Sequence, residues 1–186
     1  LCTLPTRRHA MNSFISRLPA LLVLVLAYGG LFQPAQAQLQ KIEQTIFGMD
    51  CAPCAHAMEQ GIGSMEGVEA VSVNLNDGLA TIDLSNTNEV AYRDIRKAIS
   101  NGGFSAKKAA LEAQGTLRQK GDQWILETPA GEQFVLRPSK KAFSGEGGLQ
   151  DLKPDRQVIV TGQIPASLNT KDTLWPLRVQ RVRSAT

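Results

Sequence analysis

The order of strand and helix patterns between residues 41 and 109 constrains the fold of this chain most strongly. Short apolar alternations, typical of strands, flank two stretches whose apolar residues recur at helical spacing. The two middle strands are separated by Asn76-Asp77-Gly78, a sequence that favours a tight hairpin turn. The resulting order, β-α-β-β-α-β, predicts an α+β domain of the ferredoxin-like type.

Local signals mark where these elements begin and end. Pro53 suits the first turn of a helix, where its missing N–H is no loss. Thr87 or Asn88 is expected to cap the second helix, and Asn101-Gly102-Gly103 is expected to end it. The predicted strands are Lys41–Phe47, Val71–Leu75, Ala80–Leu84 and a weak last one at Phe104–Ala109; the apolar helix positions are Ala55, Met58, Ile62, Met65, Ala91, Ile95, Ala98 and Ile99.

Beyond a short linker predicted at Leu111–Gly115, the pattern changes to strands separated by glycine turns. The long polar connection Ser139–Asp155 follows the third of these strands, and it could hold one short helix. Five strands so arranged predict a small Greek-key barrel of the OB type, with an SH3-like barrel as the alternative. The predicted strands are Gly115–Lys120, Gln123–Thr128, Gly131–Arg137, Gln157–Gly162 and Leu174–Val182. We therefore predict two domains, residues 38–112 and 113–186.

Residues 1–37 have the pattern of a secretory signal peptide. Arg17 precedes an apolar run, Leu18–Tyr28, and the small-x-small site Ala35-Gln36-Ala37 would leave Gln38 as the first mature residue. A membrane anchor is the rival interpretation, but the run is about half the ~20 apolar residues that a spanning helix needs. The leader predicts a periplasmic or secreted protein with no stable membrane anchor after cleavage.

The net charge of +3 is unevenly distributed along the 186 residues. Residues 1–37 hold three arginines and no acid, residues 38–112 hold 6 basic and 10 acidic side chains, and residues 113–186 hold 11 and 7. Once the leader is removed, the charges of the two remaining segments, −4 and +4, cancel. The net positive charge therefore comes from the predicted leader, residues 1–37. It gives no argument for a nucleic-acid partner.

Gly48-Met49-Asp50-Cys51-Ala52-Pro53-Cys54 places two cysteines where a strand ends and a helix begins. Thiolates at this spacing can bind one soft metal ion or close a redox disulfide. A helix N-terminus offers partial positive charge and free N–H groups, which stabilise thiolate. A disulfide that closes so short a loop constrains the unfolded chain little, so chemistry is favoured over a structural role.

This motif resembles the Gly-Met-x-Cys-x-x-Cys signature of heavy-metal-associated domains. The family includes copper chaperones, the amino-terminal domains of metal-pumping P-type ATPases and periplasmic mercury-binding proteins. The resemblance covers about residues 40–110 and implies that Cys51 and Cys54 bind one metal ion. It also implies that Met49 packs beneath the loop and that Phe104 covers the site. A metal-transporting ATPase or another metal-binding protein would be the partner.

Asp50 occupies the variable position of the motif and leaves the choice of metal open. An acid there resembles domains from zinc, cadmium and lead pumps, where the carboxylate is a third ligand; the alternative is a solvated acid or a helix cap. Cu(I) is the favoured ion, and Zn(II), Cd(II) and Hg(II) are the others. His56 is expected on the surface, and Met58 and Met65 in the core. Lys107 and Lys108 could offset the charge of a metal–dithiolate or be ordinary solvated cations.

Two other functions fit parts of the chain. Cys51-Ala52-Pro53-Cys54 resembles the Cys-Gly-Pro-Cys of thioredoxins, which predicts a periplasmic thiol–disulfide oxidoreductase. No proline lies between Pro53 and Pro129 to supply the downstream cis-proline of that fold. The barrel could instead act as a binding module, but Trp124 and Phe134 are expected in its core. The favoured prediction is an exported metallochaperone or scavenger that is not an enzyme.

Overall fold

The computed structural model describes residues 39–138, 152–168 and 174–185. The predicted leader and its cleavage site lie outside the described residues, as does most of the predicted Ser139–Asp155 connection. The described elements are, in chain order, β1 Leu39–Phe47, α1 Ala52–Gly63, β2 Val68–Asn74, β3 Leu79–Leu84, α2 Tyr92–Asn101, β4 Ser105–Lys120, β5 Gln123–Glu127, β6 Gln133–Pro138, β7 Gln157–Ile164 and β8 Leu174–Ser184.

The first half confirms the predicted ferredoxin-like arrangement. Its strands lie in the order β2-β3-β1-β4, and each pairs with its neighbours in antiparallel fashion. Helix α1 packs against β2 and α2, and α2 also contacts β4. The apolar helix positions meet the sheet in one core: Ala55, Met58 and Ile62 of α1, and Tyr92, Ile95 and Ile99 of α2, are buried. The α+β class therefore follows from the sequence, in which stretches with apolar residues at strand spacing alternate with stretches that have them at helical spacing.

Strand β4 runs through the segment that was predicted to be a linker. The prediction of a linker at Leu111–Gly115 is wrong, because these residues form the middle of a strand of 16 residues. Leu111 pairs with Ile42 of β1 on one side and with Gly162 of β7 on the other. Pairing on both sides uses the backbone hydrogen-bonding groups that a linker would leave to solvent. The predicted boundary between residues 112 and 113 lies inside this strand.

The second half of β4 belongs to a closed circuit of strand pairs. Among the described residues, β4 pairs with β5, β5 with β6, β6 with β8, β8 with β7, and β7 with β4 again. The β6–β8 pair is parallel and the other four are antiparallel. We call these five strands the strand ring. Phe134 is fully buried within it, as predicted, whereas Trp124 is only half-buried.

Helix α2 is capped by a residue from the second half of the chain. Its N-cap is Ala91, which has no side-chain hydrogen bond to give, so the prediction of a cap by Thr87 or Asn88 is wrong. The Glu132 carboxylate instead accepts from the backbone N–H of Tyr92 at 2.8 Å and of Arg93 at 3.3 Å. Asn88 is buried, and its amide donates to the backbone oxygens of Leu39 and Ser85. A charged cap also interacts favourably with the positive end of the helix dipole.

Within the described part of the chain, none of the helices has both the length and the apolar run required to cross a bilayer.

Candidate functional site

The loop between β1 and α1 presents the two cysteines at the start of a helix. Gly48 has φ +90°, a left-handed conformation that glycine adopts without strain and that turns the chain out of β1. Cys51 is the N-cap of α1 in extended conformation, and Pro53 lies in the first turn. The Cys51 carbonyl accepts from the backbone N–H groups of Cys54 at 3.0 Å and Ala55 at 3.1 Å. The predicted start of the helix at this motif is confirmed.

Cys51 and Cys54 are joined as a disulfide, with their Cα atoms 5.2 Å apart. Both residues are half-buried, and the backbone N–H of Cys54 donates to the Cys51 sulfur at 3.2 Å. The structure therefore brings the two predicted ligands together, in their oxidised form. Both sulfurs lie at the N-terminus of α1, whose positive dipole end would stabilise thiolates after reduction.

The floor of the loop is apolar. Met49 is 3% exposed and belongs to the same core cluster as Met58 of α1. The predicted packing of Met49 beneath the loop is confirmed, and it leaves its thioether turned to the core. Phe104 is half-buried; its ring and the Cε of Met58 come within 3.2 and 3.0 Å of where a Cβ on Gly102 would be. Whether Phe104 covers a bound metal stays a prediction.

The other candidate ligands lie apart from the sulfur pair. Asp50 is exposed, and no three His, Cys, Asp or Glu side chains converge on one point within the described ranges. The third-ligand role of Asp50 stays a prediction. His56 is exposed, as predicted, and its partners are on its own helix: Gln60 lies 3.1 Å from its Nε2 and a Glu59 oxygen 3.9 Å from its Nδ1.

An exposed aromatic side chain adjoins the loop, and sequence analysis did not single it out. Phe47, the last residue of β1, is 68% exposed. The Lys107 ammonium lies 5.2 Å from the centroid of its ring, a cation–π distance. Lys107 and Lys108 are both exposed, and this contact places the Lys107 ammonium near the strand end from which the loop departs. One signal was available, because the alternation that turns Ile42 and Ile46 inward puts Phe47 on the outward face of β1.

A buried polar network that the sequence did not reveal connects α2 to both halves of the sheet. The Tyr92 hydroxyl donates to the Gln44 side-chain oxygen at 2.8 Å, and the Gln44 amide donates to the backbone oxygens of Lys107 and Lys108. The indole N–H of Trp175 donates to Glu132 at 2.7 Å. One signal was available: Gln44 replaces an apolar residue at an inward position between Ile42 and Ile46.

Burial dominates the electrostatics of this network. Desolvation raises the pKa of the Glu132 carboxyl above its ordinary value, and hydrogen bonds from Tyr92, Trp175 and Arg93 oppose that rise only in part. Desolvation also raises the pKa of Tyr92. Both groups lie away from the cysteine loop, in the contact between α2 and the strand ring, so they bear on how the two halves are joined.

Known proteins are similar to the part of the chain that contains the cysteine loop. A family model described as "Heavy-metal-associated domain" matches residues 44–105. "Copper chaperone CopZ" of Bacillus subtilis (strain 168) is 36% identical over 61 residues, which are 33% of this chain and 87% of that protein. "Copper-transporting ATPase 2" of Homo sapiens is 43% identical over 61 residues, again 33% of this chain but only 4% of that protein.

A crystal structure of a copper binding domain from HMA7, a P-type ATPase, is similar to the same region. It is 32% identical, with a TM-score of 0.34, and the alignment covers 37% of this chain and 90% of that one. The family match ends at residue 105, before nearly all of β4 and the rest of the strand ring.

Proposed function

The chain belongs to the heavy-metal-associated domain family, and from this premise we propose that its reduced Cys51 and Cys54 bind one soft metal ion as cargo. Membership rests on the 36% identity to a copper chaperone of which the chain covers 87%. Cu(I) is the favoured ion, because the similar proteins are named for copper and because soft thiolate ligands suit it. Zn(II), Cd(II) and Hg(II) are the alternatives.

The placement of both sulfurs at the N-terminus of α1 carries this proposal. Opening the disulfide takes two electrons and two protons from a reductant such as a dithiol, and gives two thiols. The metal then replaces the thiol protons, which makes binding pH-dependent. With two protein sulfurs as ligands the ion keeps open positions, so a partner's cysteines can attack it before it leaves this chain.

The loop also supplies charge to balance a metal–dithiolate. Cu(I) with two thiolates carries one net negative charge, which the N-terminal N–H groups of α1 would stabilise. Lys107, whose ammonium lies over the ring of Phe47 at the strand end before the loop, would add a positive charge nearby. We propose a metal-transporting ATPase or another metal-binding protein as the partner, with the chain acting as a metallochaperone or scavenger and not as an enzyme.

Export is part of the proposal. The signal-like pattern in residues 1–37 would deliver residues 38–186 to the periplasm or the exterior, where an oxidised pair must be reduced before it binds metal. Amino-terminal sequencing of the protein recovered from a periplasmic extract tests this directly. A sequence that begins at Gln38 supports cleavage, and recovery of the uncleaved chain in the membrane fraction contradicts it.

We further propose that the strand ring is a barrel of the OB type and forms a second domain, residues 113–186. The closed order of pairing and the parallel pairing of its third and fifth strands support this assignment. The two domains would then share β4, since residues 105–113 of that strand pair with β1 and residues 109–116 pair with β7.

Anaerobic competition titration tests the metal proposal. The fully reduced chain is titrated with Cu(I), Zn(II) and Hg(II) against chelators of graded affinity. We expect one ion per chain, lost in Cys51→Ser and in Cys54→Ser and kept in the matched surface control His56→Ala. Failure of the reduced chain to take any of the three ions from a weak chelator would sink the proposal.

The observed disulfide favours one other function. Cys51-Ala52-Pro53-Cys54 in oxidised form is also what a thiol–disulfide oxidoreductase would contain. Insulin reduction with dithiothreitol as the electron source measures that activity. Turnover that requires both cysteines would replace the metal proposal with this one, and a rate equal to that of Cys51→Ser would dismiss it.

A further inference from the structure

We propose that a cleft between α2 and the strand ring binds an acidic segment of a partner protein. The cleft has a volume of about 750 Å³. One wall is α2 and the start of β4, and the other is formed by Ala166, Leu168 and Trp175. It is distinct from the cysteine loop, since neither Cys51 nor Cys54 lines it.

The charge of the cleft is opposite to that of the segment that supplies most of it. Residues 38–112 carry 6 basic and 10 acidic side chains. Of these six cations, four line the cleft, namely Arg93, Arg96, Lys97 and Lys107, with Asp94 as the only acid there among the described residues. Residues 38–112 are acidic overall, yet most of their cations lie in this one cleft. The electrostatic field acting on an anionic ligand is strongest in such a concave site.

Most of this charge forms no ion pair within the described ranges, although the charge of Arg93 lowers the pKa of the buried Glu132 carboxyl. Arg93 and Lys97 are exposed, stand one helical turn apart, and form no ion pair with a described acid. The Lys107 ammonium lies over the Phe47 ring and likewise forms no ion pair with a described acid. Unpaired like charges at i and i+4 repel each other, so a bound anion would be favourable here.

Arg96 is held in place with donor capacity left over. Its Nη1 donates to the Tyr92 hydroxyl at 3.4 Å and to the Lys107 backbone oxygen at 3.5 Å. Its guanidinium lies 5.8 Å from the Tyr92 ring centroid and 5.7 Å from that of Trp175. Its Nε is buried and has no acceptor in the described part of the chain. A guanidinium fixed in this way is pre-organised to receive a carboxylate.

The aromatic wall behind Arg96 is itself fixed. Tyr92 and Trp175 meet edge to face with centroids 5.2 Å apart, and the Trp175 indole donates to Glu132. Little side-chain freedom therefore remains to be lost when a ligand binds, which favours affinity.

The spread of the cations indicates a chain segment rather than a single small anion. The cleft follows α2 from Arg93 to Asn101, a rise of about 12 Å at 1.5 Å per residue. A small anion could contact one or two of the four cations, whereas an extended peptide places side chains at about 3.3 Å per residue along such a path. We therefore assign the cleft to a run of Asp or Glu in a partner protein.

Fluorescence anisotropy with a labelled deca-glutamate peptide tests the assignment on the full chain. We expect saturable binding that weakens as salt is raised, and quenching of the emission of Trp175 with it. The double variant Arg93→Glu/Lys97→Glu should lose at least tenfold in affinity. The matched control Arg178→Glu/Arg181→Glu changes the net charge by the same amount at exposed positions of β8 outside the cleft. Its affinity for the peptide should fall less than twofold.

Several results would overturn the proposal. Equal losses in the two double variants would mean unspecific attraction. Competition by free glutamate or inorganic phosphate at the same anion concentration would mean a small-anion site. A ten-nucleotide DNA strand that binds as tightly as the peptide would mean a general polyanion surface. Circular dichroism must show that both double variants are folded. Because Cys51→Ser should keep peptide affinity, failure of this proposal is distinguishable from failure of the metal proposal.

Discussion

The backbone N–H of Tyr92 donates to the carboxylate of Glu132 at 2.8 Å, although the residues are 40 positions apart. The same carboxylate accepts from the Trp175 indole at 2.7 Å and is 4% exposed. A buried acid from the turn before β6 thus caps the second helix of the ferredoxin-like half and anchors an aromatic residue of β8. The two halves of the chain are held together by charge-assisted hydrogen bonds as well as by the shared strand β4.

Glu132→Ala is expected to destabilise the protein. It removes the acceptor of the Tyr92 N–H and of the Trp175 indole, and leaving buried donors unsatisfied costs on the order of 2 kcal/mol. Urea unfolding at neutral pH measures the loss. Asp122→Asn, in the exposed turn between β4 and β5, is the control and should change stability little. Equal stability of Glu132→Ala and wild type would mean that water replaces the carboxylate at no loss.

Comparison with Glu132→Gln across pH tests the burial of this carboxyl. Desolvation raises its pKa in the folded state above the ordinary 4.5. The folded protein therefore holds the proton more tightly than the unfolded chain, so stability is greatest below pH 4.5 and falls as pH rises through the raised pKa. Glutamine does not titrate. We expect the free energy of unfolding of wild type, relative to Glu132→Gln, to decrease between pH 4 and pH 7. A relative increase over that range would show that the hydrogen bonds outweigh desolvation.

Gly115→Ala tests the close approach of β4 to β5. A Cβ on Gly115 would lie 2.4 Å from the backbone oxygen of Glu127, so one strand must shift. We expect a loss of about 2 kcal/mol from this overpacking. The control is Gly61→Ala in α1, where nothing lies within 4 Å of the added Cβ and the better helix propensity should stabilise by about 0.5 kcal/mol. Thermal unfolding of the two variants should therefore shift in opposite directions.

Asp50→Ala decides whether that residue binds metal. If its carboxylate is the third ligand, the variant should lose at least tenfold in Zn(II) affinity and keep its Cu(I) affinity, since Cu(I) is satisfied by two sulfurs. We expect no such loss, because Asp50 is exposed and does not converge with the two sulfurs on one point in the described part of the chain. Asp50→Asn keeps the size of the side chain and provides the matched comparison. Unchanged Zn(II) affinity in both variants would assign Asp50 to the solvated loop.

Local patterns were sufficient for the elements of the first half and for the position of the cysteine loop. Apolar residues recur every two positions in strands and about every 3.6 positions in helices, which distinguishes the two. Pro53 marks a helix start and Asn76-Asp77-Gly78 a hairpin turn, and both signals act on residues only a few positions away. The linker prediction was wrong although Leu111-Glu112-Ala113-Gln114 alternates apolar and polar residues, because Ala and Glu are depleted in strands and weaken that signal. The strand conformation of this segment comes from partners in β1 and β7.

Local sequence was enough to predict the order of the ferredoxin-like elements and the placement of Cys51 and Cys54 at a helix start, because those features depend on residues close together in the chain. Three features became visible in the folded chain alone: β4 serves both halves, Glu132 caps α2, and four cations meet in one cleft. Each of these depends on residues tens of positions apart, whose contact is fixed by the burial of the whole core, and no local pattern specifies it.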